Sequence, residues 1–121
     1  VNDIARNLPG RQVGTVGHLD VHPNAPNVIP GKVRMTVEFR DLSAATLGTM
    51  LERLRKAASE IGNATRTTVT LQPASSHEAA LADPAMQDLV EDSARKLGLS
   101  HRRLPSGAGH DAQMAAKLCP M

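Results

Sequence analysis

The sequence predicts an α+β fold in which an antiparallel sheet carries helices on one face, and three observations predict it. Residues 12–21 and 32–40 alternate apolar and polar side chains, as half-buried strands do. A stretch dense in proline, asparagine and glycine joins the two segments and allows them to pair as a hairpin. A helical pattern with one apolar face follows the second segment. Antiparallel strands covered by helices on one side form an α+β sandwich.

Each predicted strand has one apolar face. In the first strand this face is expected to hold Val13, Thr15, Leu19 and Val21. In the second strand it is expected to hold Val33, Met35, Val37 and Phe39. A third strand is predicted over residues 67–71, where Thr67, Val69 and Leu71 alternate with polar residues.

The first long helix is predicted to begin after Ser43, a residue suited to the N-cap, and to end at Gly62 and Asn63. Its apolar positions are Leu47, Met50, Leu51, Leu54, Ala58 and Ile61. The resulting β-β-α-β order matches an incomplete ferredoxin-like unit, which would have a strand and a helix before the first strand seen here. Residues 1–6 are predicted to be the tail of that helix.

A second structural unit is predicted to follow the loop at residues 73–82. Asp83 and Pro84 suit the N-cap and first position of a helix, and Gly98 suits its end. Residues 101–104 are predicted to form a short strand, and residues 110–118 a further helix.

The composition of the chain limits the kinds of partner that the sequence predicts. The chain has 121 residues, a net charge of +2 and one aromatic residue, Phe39, so neither a basic patch nor base stacking predicts binding to nucleic acid. No apolar run is long enough to predict a membrane span. Cys119 is the single cysteine and predicts no internal disulfide, which favours a cytoplasmic location. Both chain ends are expected to be cut ends rather than natural termini.

Three motifs then carry a resemblance: NVIPG at 27–31, FRDL at 39–42 and SGAGHDA at 106–112. In this order and spacing they resemble the N-carbamoyl amino acid hydrolases, β-ureidopropionases and allantoate amidohydrolases, over almost the whole chain. The resemblance implies a metal-dependent amidohydrolase that cleaves carbamoyl or ureido amides of small carboxylate substrates. It also implies a lid domain that makes a homodimer. Residues 1–76 would be the C-terminal part of this lid, and residues 77–121 the returning segment of the catalytic domain.

The resemblance implies four substrate-binding residues, each with a plainer alternative. Arg40 would clamp a carboxylate with its guanidinium fork, or be a solvated arginine beside Asp41. Asn27 would hydrogen-bond the substrate amide, or stabilise a turn between prolines. Gly109 and His110 would contact the substrate by backbone and imidazole, or form a glycine-rich helix entry with a capping histidine.

Three further patterns have both a functional and a plainer interpretation. Asp111 could orient His110, although a first-turn aspartate that complements the helix dipole is favoured. The run GAGHDA at 107–112 fits the loose dinucleotide fingerprint, but no complete βαβ unit surrounds it. His18 and Asp20 form an H-x-D pair, but no third ligand is predicted beside it.

The resemblance implies a divalent metal of the zinc or manganese type in the intact enzyme and no metal ligand in this chain. This chain is therefore expected to be inactive alone. The competing interpretation is a non-enzymatic dimerisation or interaction module, which would dimerise without binding metal or turning over substrate.

Overall fold

The computed structural model describes all 121 residues, which form two compact units, Val1–Ser75 and Ser76–Met121. The first unit contains α1 (Asn2–Arg6), β1 (Val13–His22), β2 (Lys32–Arg40) and α2 (Ala44–Thr65). The second contains α3 (Pro84–Lys96) and α4 (Ala112–Ala115). The predicted α+β class is confirmed.

β1 and β2 form the predicted antiparallel hairpin, with a register that runs from Val13 opposite Arg40 to His22 opposite Lys32. The connecting loop is closed at its base, where the Gly31 N–H donates to the His22 carbonyl at 3.0 Å. At the loop tip the Val28 N–H donates to the Ala25 carbonyl at 3.3 Å. These two bonds replace ladder bonds in a segment whose prolines cannot donate.

The register shifts between Val16 and His18, so that Gly17 is an extra residue, and this bulge corrects the predicted faces of β1. Because strand side chains alternate with period two, one inserted residue moves everything before it to the other face. Val13 and Thr15 therefore lie on the polar face, contrary to prediction. Gly14 and Val16 take their places on the apolar face, opposite Phe39 and Val37 respectively.

A small apolar core lies where α1 meets β1 and α2. Ala5 is buried, and Met50 on α2 is the only large side chain that is fully buried. Gly14 on β1 lies under the Phe39 ring, where an added Cβ would be 2.9 Å from Phe39 Cε1 and 3.2 Å from the Ala5 Cβ. The absence of a side chain at residue 14 thus lets the ring lie directly on the strand.

Gln12 ties the end of α1 to the start of β1. Its Nε2 donates to the carbonyl oxygens of Ala5 and Leu8, each at 2.6 Å. The Oε1 of the same amide is buried without a hydrogen-bond partner. Two bonds from one amide fix the turn between the helix and the strand.

α2 begins as predicted, because the Ser43 hydroxyl accepts a hydrogen bond from the Thr46 N–H at 3.2 Å. Its predicted end at Gly62 and Asn63 is wrong. The helix continues to Thr65 and ends at Arg66, which adopts a left-handed conformation with φ 55°. Gly62 instead receives the returning chain: its carbonyl accepts from the Thr67 N–H at 3.0 Å, and an added Cβ would be 2.9 Å from the Thr67 carbonyl.

The predicted third strand, residues 67–71, pairs with no strand, since the sheet contains β1 and β2 alone. This segment lines one side of a shallow cavity whose other side is α2, including Arg55 and Ala58. A strand exists only where a neighbour completes its hydrogen-bond ladder, and alternation of side chains cannot supply that neighbour. The sheet therefore has two strands rather than three.

α3 begins and ends as predicted. The Asp83 carboxylate accepts from the N–H groups of Ala85 and Met86, at 2.9 and 3.1 Å, and Pro84 occupies the first turn. Gly98 follows the helix with φ +68°, which a glycine adopts without strain. None of the helices is both long and apolar enough to cross a membrane.

The short strand predicted at residues 101–104 is absent, because charged contacts attach this segment to α3 instead. The Arg103 Nε donates to Glu91 at 2.7 Å, and His101 Nε2 lies 3.3 Å from the same carboxylate. Arg103 also bonds Asp88. The hydrogen bond from Arg103 holds the pKa of the Glu91 carboxyl below its usual range.

Candidate functional site

Arg40 is the last residue of β2 and lies on the polar face of the hairpin. Its Nε and Nη2 donate to the two carboxylate oxygens of Glu38, at 2.9 and 3.0 Å, with both side chains about half exposed (50% and 55%). The hydrogen bond from Arg40 lowers the pKa of the Glu38 carboxyl. Asp41, the next residue along the chain, accepts from the Ser43 N–H at 2.7 Å.

The sequence interpretation did not identify Glu38 as the partner of Arg40. The signal that could have found it is the spacing of two residues in a strand, which places both side chains on one face. The observed pair is bidentate, so the guanidinium has a defined orientation on the polar face.

Asn27 lies in the exposed loop between β1 and β2, in the turn spanned by the bond from Val28 to Ala25. Only backbone atoms make that bond. Substrate contact by the Asn27 amide and its turn-stabilising alternative therefore both stay predictions.

His110 precedes α4, and its ring accepts a hydrogen bond: the Ala112 N–H donates to Nδ1 at 3.0 Å. The Nδ1 bond is therefore to the helix rather than to Asp111. An accepting Nδ1 requires the ring proton to be on Nε2, so His110 can offer an Nε2–H donor while it caps the helix. The two interpretations of His110, capping and substrate contact, are compatible in this geometry.

Gly109 has no positive φ, and an added Cβ would meet only Gln113 Oε1, at 3.8 Å. Neither backbone conformation nor space inside this unit requires a glycine here. A glycine that is not required by the conformation or packing of its own unit leaves room for a ligand to approach the backbone closely.

The four residues divide between the units: Asn27 and Arg40 lie in the first, Gly109 and His110 in the second. Within the first unit β2 separates the two positions. Its first residue, Lys32, adjoins the Asn27 loop, and Arg40 is its last. At the usual rise per residue β2 is about 26 Å long.

No three His, Cys, Asp or Glu side chains are grouped so that they could hold a metal ion. In the H-x-D pair, His18 faces Thr36 and Asp20 faces Arg34, so the neighbours across the ladder supply no third ligand. The dinucleotide fingerprint at 107–112 is not part of a βαβ unit, because no strand precedes it and α4 has only four residues.

Comparison with known proteins confirms the resemblance drawn from the three motifs. The N-carbamoyl-L-amino-acid amidohydrolase of Rhizobium meliloti is 40% identical over 114 residues, which is 94% of this chain and 27% of that protein. The ureidoglycolate hydrolase of Arabidopsis thaliana is 31% identical over 110 residues, or 90% of this chain and 23% of the relative. The allantoate amidohydrolase of Escherichia coli is 27% identical over 116 residues, or 96% of this chain and 28% of the relative. No protein-family model matches the chain.

Solved structures agree with these relatives. A hydantoinase/carbamoylase family amidase from Burkholderia multivorans superposes with a TM-score of 0.95 at 37% identity, over 99% of this chain and 29% of that one. The structure of AtUAH in complex with glyoxylate gives a TM-score of 0.78 at 31% identity, over 91% of this chain and 26% of that one. The chain thus spans about a quarter of the length of the curated relatives it matches.

Proposed function

We propose that this chain, which corresponds to one segment of the amidohydrolases that act on carbamoyl and ureido compounds, is the lid and substrate-binding part of a metal-dependent enzyme of that kind. The observation that carries the proposal is the 40% identity to an N-carbamoyl-L-amino-acid amidohydrolase along nearly the whole chain. Residues 1–76 would belong to the lid, and residues 77–121 to the catalytic domain. The glyoxylate complex of a structural relative supports a small carboxylate as ligand.

The side chains suggest a division of roles. Arg40 would hold the substrate carboxylate through charge-assisted hydrogen bonds. Asn27 and the His110 Nε2–H would bond the amide, and Gly109 would let the substrate approach the backbone. The metal would be held by residues outside this chain, where it would supply an activated water for hydrolysis.

The length of β2 supports a site that two copies share. Asn27 and Arg40 flank a strand of about 26 Å, which is far longer than a carbamoyl amino acid. One small substrate would therefore be reached by Asn27 of one copy and Arg40 of the other. A two-fold homodimer would form two such sites, each with one residue from each copy.

A mixing experiment tests the shared site. This segment would replace its counterpart in the Rhizobium meliloti amidohydrolase, and we call the product the chimera. Asn27→Ala and Arg40→Ala chimeras should each lose most of their activity at low concentrations of N-carbamoyl amino acids, where a raised KM limits the rate. A heterodimer of the two should regain one intact site, so an equal mixture of freely exchanging subunits should reach about a quarter of the activity of the unmodified chimera.

The control for the mixing experiment is each variant on its own. Each variant mixed with itself should keep its low activity, and a mixture that regains nothing would show that both residues serve the same site from one copy. A folded, unmodified chimera without turnover would contradict the enzymatic proposal itself.

Gly109→Ala distinguishes an effect on substrate binding from an effect on the stability of the fold. Since an added Cβ meets only Gln113 Oε1 at 3.8 Å, the variant should keep the thermal stability of the chimera. If the substrate contacts the backbone here, kcat/KM should fall roughly ten-fold or more, as expected when a reacting group is displaced. Gly48→Ala, in α2 with open space around it, is the matched control. Unchanged kcat/KM would remove Gly109 from the site.

The alternative is a dimerisation or interaction module without enzymatic activity. It is favoured by apolar side chains that the hairpin leaves exposed, such as Leu19 (57%) and Met35 (52%). Association of the chimera without turnover would support this alternative. A cytoplasmic location and the lack of a nucleic-acid partner stay predictions.

A further inference from the structure

We infer that Glu38 is a positioning residue for substrate binding: it holds the guanidinium of Arg40 in the orientation that receives the substrate carboxylate. This inference rests on the proposed role of Arg40. Glu38 itself would not touch the substrate.

The contact between the two side chains is specific in geometry. Nε and Nη2 of Arg40 point at separate oxygens of Glu38, at 2.9 and 3.0 Å, so the two planar groups are joined by two parallel bonds. A guanidinium has five N–H donors in a rigid fork, and the pair with Glu38 employs two of them. Fixing these two also fixes the plane in which the others point.

The pair has little to contribute to folding. Both side chains are about half exposed, and they belong to the same strand, two residues apart at its end. Exposed ion pairs of this kind add little to the stability of a protein. A free arginine side chain, however, loses much rotational freedom when a ligand immobilises it, and a partner that orients it beforehand reduces this cost of binding.

The residues beside Arg40 on the hairpin are consistent with this role for Glu38. Across the ladder Arg40 faces Val13 and Glu38 faces Thr15, and neither of these two side chains is charged. The adjacent carboxylate, Asp41, is engaged at the start of α2 through the Ser43 N–H at 2.7 Å. Of these two nearby carboxylates, Glu38 is the one that makes a bidentate contact with Arg40.

The test is a Glu38→Gln variant of the chimera, assayed on N-carbamoyl amino acids. A neutral amide cannot offer two acceptors to Nε and Nη2, so KM should rise about two- to five-fold, in keeping with the worth of an exposed ion pair, while kcat stays constant. Glu38→Asp keeps the charge and should recover part of the lost affinity. Glu52→Gln is the matched control, because Glu52 also forms an exposed pair with an arginine, Arg55 on α2, and should leave KM unchanged.

Each outcome decides the inference. An unchanged KM in Glu38→Gln would overturn it, and a lowered KM would show that Glu38 competes with the substrate for Arg40. Arg40→Ala distinguishes the proposed carboxylate clamp from the positioning role of Glu38. If Arg40→Ala raises KM while Glu38→Gln does not, only the positioning role fails. If Arg40→Ala leaves KM unchanged, the carboxylate clamp fails and Glu38 has nothing to position. In an Arg40→Ala background, Glu38→Gln should add no further effect.

Discussion

Arg40→Lys should raise the KM of the chimera for N-carbamoyl amino acids about 10- to 100-fold, the loss expected when hydrogen bonds to a charged group are removed. Lysine keeps the positive charge but is a point charge on a flexible stem, so it cannot make the two parallel bonds of a guanidinium. It would also lose the bidentate contact with Glu38 that Arg40 makes through Nε and Nη2. Steady-state kinetics over a range of substrate concentrations would measure the change.

The matched control for that substitution is Arg55→Lys. Arg55 is also an exposed arginine paired with a glutamate, Glu52, but it lies on α2. Its replacement should leave KM within experimental error of the unmodified chimera. If Arg40→Lys behaves like this control, the substrate carboxylate is bound elsewhere.

Met50→Ala should destabilise the first unit by about 2–5 kcal/mol, the usual cost of removing a large buried aliphatic side chain. Met50 is the only large side chain that is fully buried, so few other contacts can compensate for the cavity. Urea denaturation of the chain, followed by far-ultraviolet circular dichroism, would measure the loss as a lower transition midpoint.

Met35→Ala is the comparison for Met50. Met35 carries the same side chain but is 52% exposed on the hairpin, so its removal should cost much less. Equal midpoints for the two variants would mean that the unit has no core around Met50.

Features that depend on neighbouring residues could be predicted from the sequence. Ser43 and Asp83 begin their helices, and Gly98 follows the end of α3, because a cap is a contact within one turn. The hairpin between β1 and β2 is likewise local, since it joins consecutive strands through a loop, residues 23–31, that is rich in turn residues. The motifs around Asn27, Arg40 and His110 identified the relatives for the same reason, because each is a short run in the chain.

Features that depend on a distant partner needed the tertiary structure. The bulge at Gly17 reverses the faces of Val13 and Thr15, and only the pairing with β2 reveals it. The alternation at residues 67–71 predicted a strand, but the sheet offers it no partner. α2 continues past Gly62 to Thr65, and the returning chain packs against that glycine at Thr67.

The candidate site shows the same division. The sequence by itself determined which residue types are available: an arginine at a strand end, an asparagine in a turn, and a glycine and histidine before a helix. The tertiary structure decided that Arg40 pairs with Glu38, and that His110 accepts from Ala112. Such choices depend on the directions in which side chains leave the backbone, and those directions are set only when strands and helices have their final register.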